Sequence, residues 1–405
     1  MKGELTVRVF NQEEYFTGMR DRWNTLLRHS AADTIFLTWE WCWSWWKNFK
    51  KPNQVLFILE VTEGDKLIGI APFYITTIPY LKSQIRRIDF ISFGTVDAEY
   101  LDFIIEKGNE QPVLKAVFDY LFDHQGEWNF IYLGEIPENA VTIPIIKELA
   151  SAHHLSIRSH RHDCAYVPLP DNFDTYINSM GYNFRKKLRH FTKRLEKGHT
   201  VEFIRTQSPE NLQTDLESLF RLHQKHWQSE HFEGSFLNPQ RRGFYHDMAG
   251  LFMENDWLRL YSLRVDGQYT AHQYAFEYNN KLFALQDGYD PDWGDKRVAR
   301  VLRGYVFKQC IEKGLYEYDF LREISDHKRN WEAIEKYSID FTIGRTNFTT
   351  RMYLNVPVYV KQFRKGLRKL IPVQVMNLRS RIKERRALKS FEEKIQQQEQ
   401  TGDGH

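Results

Sequence analysis

Residues 258–331 carry the clearest structural pattern in the chain and read LRLYSLRVDGQYTAHQYAFEYNNKLFALQDGYDPDWGDKRVARVLRGYVFKQCIEKGLYEYDFLREISDHKRNW. Two turn pairs, Asp266–Gly267 and Asn279–Asn280, separate three segments that are rich in Leu, Tyr, Val and Phe. Two-residue turns of this composition connect antiparallel strands. The pattern therefore predicts a three-stranded meander with strands at 258–265, 269–278 and 281–289.

A helix and a further strand are predicted after the meander. Apolar residues recur at three- and four-residue steps from Arg297 to Gly314, where the glycine is a typical C-terminal cap. The strand expected at 316–321 must then run parallel to the last strand of the meander. The start of the helix offers unpaired N–H groups and a positive dipole end, with basic residues around it. It is either a phosphate site or a solvated helix start.

The composition indicates a folded protein with a basic C-terminal segment. The 405 residues are 42% hydrophobic and 27% charged, with a net charge of +3. Residues 361–390 contain eleven Lys or Arg and one acid, Glu384. The length predicts two domains and a tail. The segment 358–390 within that tail predicts a basic amphipathic helix that is either solvated or in peripheral contact with anionic lipid.

Neither a secreted nor a membrane-spanning protein is indicated. The opening MKGELTVRVF lacks the apolar core of a signal peptide, and no apolar run reaches the roughly 18 residues that span a bilayer. Three widely spaced cysteines, Cys42, Cys164 and Cys310, indicate no disulfide framework. The spacing of His223, His226 and His231 is a weak metal-ligand pattern without a nearby cysteine or carboxylate motif, so no metal is expected. We expect a cytoplasmic protein, or one peripheral to the inner face of the membrane.

The chain before residue 166 repeats the outline of the chain after it. Each part has helices, a hairpin around a glycine, a further strand, a helix and a strand, and KLIGIAPFYI corresponds to YTAHQYAFEY. This indicates two copies of one fold. The predicted fold class is α/β with a mixed α+β sheet, in tandem domains at 1–165 and 166–350, followed by a basic helical tail with a disordered end at 351–405.

One short helix is unusually aromatic. Thr38 is a good N-cap for the segment WEWCWSWWKNF, which is apolar nearly all round. Such a helix is typical of a core. The alternative is that Trp41 or Trp45 also lines a ligand groove.

A second helix has a strongly basic face. The segment 171–198 is amphipathic, with a break expected at Gly181. Seven Lys or Arg residues lie between Arg185 and Lys197, against the single acid Glu196. The face is either solvated or binds an anionic partner, such as a phosphate-bearing cofactor, a tRNA acceptor or a sugar nucleotide.

These elements resemble the FemAB-like group of the GNAT acyltransferase superfamily, close to its CelD/BcsL (BioF2-like) acetyltransferase branch. The resemblance rests on the VDG hairpin, on GYDPDW before a helix, and on YDFLRE followed by HKRNW. TWEWCWSWW, KLIGIAPFYI, IDFISFGTVDAEYLDFII and IYLGEIP extend it to about residues 5–345. It implies tandem GNAT-like domains, with the acyl donor bound by the second.

The resemblance also implies a donor site. In the superfamily, the strands that end here near Asp287 and Leu321 separate, the pantetheine arm lies between them, and the pyrophosphate lies on the following loop. The family loop is Gln/Arg-x-x-Gly-x-Gly/Ala, and Arg297 stands here at its first glycine. The implied donor is acetyl-CoA or another acyl-CoA, although some members of the wider group use aminoacyl-tRNA. The implied donor-binding residues are Gly294, Asp295, Lys296, Arg297, Val298, Ala299 and Arg300.

Acyl transfer needs a base for the acceptor proton and donors for the carbonyl oxygen. Asp319 is the first choice for the base because its strand is otherwise aromatic; the alternative is a structural carboxylate paired with Arg322 or Lys328. His272 alternates with apolar residues and is either catalytic or a core histidine. The catalytic candidates are Asp319, Asp287, His272 and Tyr289. The substrate-binding candidates are Arg322, Lys328, Trp331, Trp41 and Trp45.

Three functions remain open at this point. The first is an acyltransferase that modifies an amine or hydroxyl of a cell-envelope or exopolysaccharide precursor, with a saccharide or peptide-like acceptor. The second is aminoacyl-tRNA-dependent transfer to a peptidoglycan-like acceptor. The third is a non-catalytic binding module in polysaccharide assembly, which Arg297 in the donor loop favours.

Overall fold

The computed structural model describes residues 4–94 and 98–355. Of the described residues, those up to Arg345 belong to one compact unit and residues 346–355 to a second. The basic helix predicted at 358–390, and its contact with a membrane, lie outside the described residues. Within the described ranges, no helix combines the length and the apolar character needed to cross a bilayer.

The first unit is organised around one mixed sheet of 13 strands. The strands are β1 (Leu5–Phe10), β2 (Gln54–Glu63), β3 (Lys66–Tyr80), β4 (Ser83–Phe90), β5 (Ile104–Ile105), β6 (Phe130–Pro137), β7 (Ser156–Pro168), β8 (Val201–Arg205), β9 (Leu258–Val265), β10 (Gln268–Tyr278), β11 (Lys281–Tyr289), β12 (Glu317–Arg322) and β13 (Ile334–Gly344). The helices are α1 (Glu13–Thr17), α2 (Arg20–Arg28), α3 (Trp39–Phe49), α4 (Glu110–Asp123), α5 (Thr142–Ala152), α6 (Phe173–Ser179), α7 (Tyr182–Gly198), α8 (Pro209–Ser229), α9 (Pro239–Glu254), α10 (Val298–Glu312) and α11 (Asp326–Arg329).

The strand order shows the duplication that the sequence predicts. One end of the sheet runs β1-β2-β3-β4-β6, and the other runs β12-β11-β10-β9-β8. In each half an antiparallel meander is followed by a helix and then by a strand parallel to the last meander strand. The tandem arrangement is confirmed. Below, the N-terminal half is residues 4–168 and the C-terminal half is residues 169–345.

Each half gives its last strand to the other half. β7 pairs with β12 and with β13, and β13 also pairs with β6, so the centre of the sheet reads β6-β13-β7-β12. The sequence patterns predicted neither β7 nor β13, nor the short edge strand β8. The boundary at residue 165 stays a prediction, but the exchanged strands join the two halves through a continuous hydrogen-bond network.

The turns of the meander are confirmed in detail. Asp266, Gly267, Asn279 and Asn280 all have positive φ, between 47° and 77°. Positive φ at both central residues is typical of the hairpin turns that match the twist of antiparallel strands. The two turns therefore set the register of the meander strands, and this register positions β11 at the site.

The helix boundaries follow their capping residues. The hydroxyl of Thr38 accepts from the N–H of Trp41, as expected for an N-cap. Gly181 separates α6 from α7, as predicted. The segment between β1 and α3 contains two helices, α1 and α2, and β5 has only two residues, Ile104 and Ile105.

Candidate active site

β11 and β12 separate after a short paired segment. They pair along Lys281–Phe283 and Glu317–Asp319, although β11 continues to Tyr289 and β12 to Arg322. The remaining residues border an opening of the kind that the resemblance implies. In the N-terminal half, β4 and β6 likewise pair along a short segment, at Arg87–Asp89 and Phe130–Tyr132.

Phe93 lies beside the opening of the N-terminal half. A Cβ added at Gly134 of β6 would lie 2.3 Å from the Phe93 ring. The same ring packs on Tyr132, with 4.8 Å between centroids. Phe93 lies three residues after the end of β4, and its ring packs against β6 beside the opening. This leaves the opening of the C-terminal half as the candidate for a donor arm.

A polar network lines the C-terminal opening on the side of α10. Asp287 of β11 accepts from Gln273, at 2.8 Å, and from the guanidinium of Arg303. Arg303 also contacts Nε2 of His327 at 3.1 Å. Burial and the neighbouring Arg303 lower the pKa of His327 to about 4. The predicted residue Asp287 thus lies in the opening, with its carboxylate fixed by two partners.

Asp319 marks the end of the paired segment and is fully buried. Its neighbour Tyr318 stacks on Phe307 of α10, so strand alternation directs Asp319 to the opposite face of the sheet. There its carboxylate accepts from the hydroxyl of Tyr100 at 3.1 Å, the N–H of Leu321 at 2.7 Å and Nζ of Lys336 at 2.6 Å.

The partner of Asp319 differs from the expectation. Neither Arg322 nor Lys328 pairs with it; Lys336 of β13 does, and it also binds Glu317 at 2.8 Å. Burial by itself lowers the pKa of Lys336, but the carboxylates of Asp319 and Glu317 outweigh it, so the pKa is raised. Lys336 is therefore a permanent ammonium group at neutral pH.

Tyr100 and Lys336 are site residues that the sequence patterns did not indicate. Burial and the carboxylate of Asp319 raise the pKa of Tyr100 well above its ordinary value, so its hydroxyl stays protonated. Tyr100 has φ 57° and Leu321 has φ 59°. Bulky residues rarely adopt positive φ, and such strain concentrates at functional sites. No local sequence feature indicates Tyr100 or Lys336 as a site residue.

Tyr100 and Lys336 also line a cavity between the two halves. The cavity has a volume of about 640 Å³. Its wall combines the segment after α2, the loop after β6, the β10–β11 turn and the start of β13. The volume is within the usual range of small-molecule sites, about 300–1,000 Å³.

The other two catalytic candidates have different surroundings. His272 is 1% exposed, and its ring nitrogens contact the hydroxyls of Ser262 at 2.8 Å and Ser218 at 2.9 Å. Burial lowers its pKa to about 3. Tyr289 lies at the mouth of the opening, with its ring 4.2 Å from that of His226. A catalytic role for His272 stays a prediction, which its burial disfavours.

The predicted donor loop is a 3₁₀ turn followed by a left-handed residue. Pro291–Lys296 form the turn, and Arg297, with φ 55°, precedes Val298 at the start of α10. The ammonium of Lys296 lies 4.5 Å above the ring of Trp293. Gly294, Asp295, Lys296, Arg297, Val298, Ala299 and Arg300 are thus gathered at the N-terminus of α10.

Arg300 lies in the first turn of α10, half-buried, with its guanidinium 4.8 Å above the ring of Phe184. Burial, together with the cations of Arg297 and Arg303, lowers its pKa. Among the described residues, no carboxylate forms a salt bridge with Arg297 or Arg300. An unneutralised pair of guanidinium groups at a helix N-terminus is typical of an anion site.

The basic face of α7 extends from this point. Phe184 belongs to α7, which packs on α10 through Leu188 and Gly304. None of the seven basic side chains between Arg185 and Lys197 forms a salt bridge with a described carboxylate. The N-terminus of α10 and the basic face of α7 therefore form one positively charged surface.

The predicted substrate-binding residues are dispersed. Nη1 of Arg322 binds Glu135 at 2.6 Å. Trp331 is fully buried and stacks on Phe307. Nζ of Lys328 donates to the backbone carbonyls of Phe320, Arg322 and Glu323.

Trp41 and Trp45 of α3 are 0% and 1% exposed and belong to the aromatic core. Trp41 packs edge-on against Phe244, and Trp45 packs against Tyr74. Neither lines the cavity between the halves. Substrate contact by these two residues stays a prediction, which their burial disfavours.

Glu99, Glu135 and His162 form a second polar cluster, which the sequence patterns did not indicate. Their possible ligand atoms lie within 4.8 Å of one another, a spacing that a metal ion accepts. Glu135 is, however, already bound by Nε2 of His162 at 2.5 Å and by Arg322. Burial and the neighbouring Glu135 raise the pKa of Glu99 well above its ordinary value, so Glu99 holds a proton. Because the cluster compensates its own charge, we assign no metal to it.

Comparisons with known proteins concern the family of the C-terminal half and the fold of the chain. The model of the acetyltransferase (GNAT) domain family matches residues 182–329, which contain the opening and the donor loop. No curated protein sequence matches the chain significantly.

Among solved structures, the chain is similar to the crystal structure of FemX, with a TM-score of 0.57 and 13% identity over 80% of this chain and 95% of that one. It is also similar to a conserved protein of unknown function from Bacteroides thetaiotaomicron VPI-5482, with a TM-score of 0.52 and 10% identity over 84% of this chain and 100% of that one. These likenesses concern the fold. Residues 182–329 of the C-terminal half therefore match an acetyltransferase (GNAT) domain, and the chain as a whole has a fold similar to that of FemX.

Proposed function

We propose that the protein transfers an acyl group from acyl-CoA, in the first instance acetyl-CoA, to an amine or hydroxyl of a cell-envelope or exopolysaccharide precursor. The observation that carries the proposal is the separation of β11 and β12 beyond Phe283 and Asp319, with an unneutralised basic helix start at the donor loop. The ring of Phe93 packs against β6 beside the corresponding opening in the N-terminal half.

The donor end is assigned to the start of α10. Arg297 and Arg300 neutralise the pyrophosphate, and the first N–H groups of α10 donate to it. Arg297 replaces the glycine of the family loop, so its guanidinium supplies charge where a glycine allows closer backbone contact. The pantetheine arm then follows the opening past Asp287 toward the paired segment.

The transfer step is assigned to the end of the paired segment. A bond forms between the acceptor nitrogen or oxygen and the acyl carbon, the C–S bond breaks, and the acceptor proton ends on the sulfur. Tyr100 is placed to give its proton to the leaving thiolate and to regain one from the acceptor. Asp319 is a positioning residue in this scheme, since three donors already occupy its carboxylate.

Aminoacyl-tRNA is the second candidate donor. A specific observation favours it: the basic face of α7 extends well beyond the space that one pyrophosphate needs, and polyanions bind such surfaces strongly. The acceptor would then be a peptidoglycan-like amine, with ribose oxygen as the leaving group.

Calorimetric titration with acetyl-CoA separates the two donors. We expect binding to the full chain that Arg300→Ala weakens at least tenfold. Arg8→Ala, an exposed arginine on the edge strand β1, is the matched control and should change nothing. If acetyl-CoA does not bind but aminoacylated tRNA is retained on a filter with the protein, aminoacyl-tRNA is the donor. Absence of both would overturn the proposal.

A further inference from the structure

The cavity between the halves has a lining of unusual charge. Among the described residues, its wall carries five carboxyl groups and two ammonium groups, those of Lys281 and Lys336. The carboxyl groups belong to Asp33, Asp102, Glu138, Glu317 and Glu335. A phosphate-bearing ligand would be repelled by this wall, whereas an ammonium group would be attracted.

Two arginine residues outside the wall offset part of its negative charge. Arg161 binds Glu138 at 2.8 Å, and Arg329 binds Glu335 at 2.6 Å, but both arginine side chains are about half exposed to solvent. Burial raises the pKa of Asp102 to about 7, so this carboxyl is only partly ionised at neutral pH. The four other carboxylates are matched by Lys281, Lys336, Arg161 and Arg329, so the partly ionised Asp102 leaves the wall weakly negative.

The remaining polar groups of the wall can form hydrogen bonds with the hydroxyl groups of a ligand. Asn139 and Asn279 contribute amides, and carboxylates accept hydrogen bonds in several directions. Tyr166 contributes an aromatic ring with a polar edge, which can pack on the C–H face of a sugar ring, whereas the guanidinium of Arg161 lies 3.3 Å over the ring of Tyr337. Acceptor-rich walls with aromatic surfaces match a ligand that carries many O–H or N–H donors.

The floor of the cavity connects it to the donor opening. Tyr100 and Lys336 face the cavity, and both are hydrogen-bonded to Asp319, the residue at which β12 leaves β11. A nucleophile held above Tyr100 would therefore stand beside the carbonyl of an acyl group in the opening. The donor arm and the cavity approach this point from opposite faces of the sheet.

We propose that this cavity binds the acceptor, and that the acceptor is an amino sugar whose part inside the cavity carries no phosphate. This rests on the proposed acyl transfer and names the acceptor class of the same site. The carboxylates take the ammonium group and the hydroxyls, and the ring of Tyr166 takes the apolar face of the sugar.

The test is titration of the full chain, without any donor, with four small probes. They are glucosamine, N-acetylglucosamine, glucosamine 6-phosphate and Nα-acetyl-lysine methylamide. We expect glucosamine to bind at least fivefold more tightly than each of the other three. N-acetylglucosamine lacks the ammonium group, the 6-phosphate adds negative charge, and the lysine derivative lacks the hydroxyl groups.

Two variants locate the binding. Glu335→Gln removes a cavity charge and keeps the shape of the side chain, so it should weaken glucosamine at least threefold. Asp21→Asn is the matched control, since Asp21 lines a different surface hollow, and it should leave the affinity unchanged. Thermal unfolding of both variants confirms that they are folded.

Each outcome decides the proposal. No glucosamine binding, equal affinity for the four probes, tightest binding of the 6-phosphate, or an effect of Asp21→Asn equal to that of Glu335→Gln would overturn it. Equal binding of the lysine derivative would assign the cavity to a peptide amine instead. Since no donor is present, failure of the acyl-transfer proposal shows separately, as absence of binding by both acetyl-CoA and aminoacylated tRNA.

Discussion

Lys336 and Asp319 form an ion pair of 2.6 Å across a strand that lies between them. Lys336 belongs to β13 and Asp319 to β12, while β7 separates the two strands and pairs with both. Lys336 lies opposite Cys164, and Asp319 lies opposite Tyr166. The pair therefore ties the exchanged strand of the C-terminal half to the strand that bears the transfer site.

Loss of Lys336 should destabilise the fold. Lys336→Met leaves Asp319 buried without its cation, and removal of one partner of a buried pair costs about 3–5 kcal/mol. The measurement is urea unfolding at pH 7. Asp319→Asn should lower the free energy of unfolding less in the Lys336→Met background than in the unchanged protein. Fully additive effects would show that the two residues do not act as a pair.

Tyr100→Phe tests the proton relay. The change removes one hydrogen bond to Asp319 and should cost about 1 kcal/mol of stability. If Tyr100 carries the proton, turnover should fall about 100-fold or more, with little change in the Michaelis constant of the acceptor. Tyr120→Phe, on α4, is the control. A Tyr100→Phe enzyme with normal turnover would limit the residue to a structural role.

Gly134→Ala tests whether Phe93 closes the N-terminal opening. The added Cβ would meet the Phe93 ring at 2.3 Å, so overpacking should cost about 1–3 kcal/mol. In a Phe93→Ala background the same substitution should be nearly neutral. Acetyl-CoA affinity should stay unchanged in Gly134→Ala, because the proposed donor site lies in the other half. A weaker donor affinity would contradict that assignment.

His272 should make stability depend on pH. Burial holds its folded pKa near 3, below the ordinary value of 6.5, so the unfolded chain takes up the proton first as the pH falls. The contribution of His272 to the free energy of unfolding is therefore fully present above pH 6.5 and is lost as the pH falls from 6.5 toward 3. His272→Gln should flatten the free energy of unfolding measured from pH 7 to pH 4. His29→Gln, at an exposed site, should not.

The same variant separates the two interpretations of His272. A core histidine predicts that His272→Gln retains turnover at pH 7 once the fraction of folded protein is taken into account. A general base predicts loss of turnover with little change in stability. The hydrogen bonds to Ser262 and Ser218 favour the first outcome.

The meander and its helix were predictable because their signals are local. Asp266–Gly267 and Asn279–Asn280 adopt the positive φ that two-residue hairpins need, and Gly314 ends the helix as a left-handed cap. The break at Gly181 and the cap at Thr38 follow from the same kind of signal. Each depends on residues within one turn of chain.

β7 was not predictable in this way, whereas β13 alternates apolar residues at Tyr337, Ile339, Phe341 and Ile343, which is a local strand signal. Ser156–Pro168 contains SIRSHRHD, which has little of the apolar alternation that marks a strand. These residues are strands because partners on both sides satisfy their backbone groups, and those partners lie far away in sequence.

Local chemistry thus determined the order of elements, the turns, the caps and the basic helix start at Arg297, since each depends on neighbours in the chain. Tertiary structure alone decided which opening is free and which side chains meet Asp319. Phe93 and Gly134 meet through the pairing of β4 with β6 inside the N-terminal half, whereas Tyr100, Asp319 and Lys336 come together only when the halves exchange their last strands. The residues next to them in the chain do not indicate the strand exchange, because pairing between distant strands leaves no periodic pattern in the sequence.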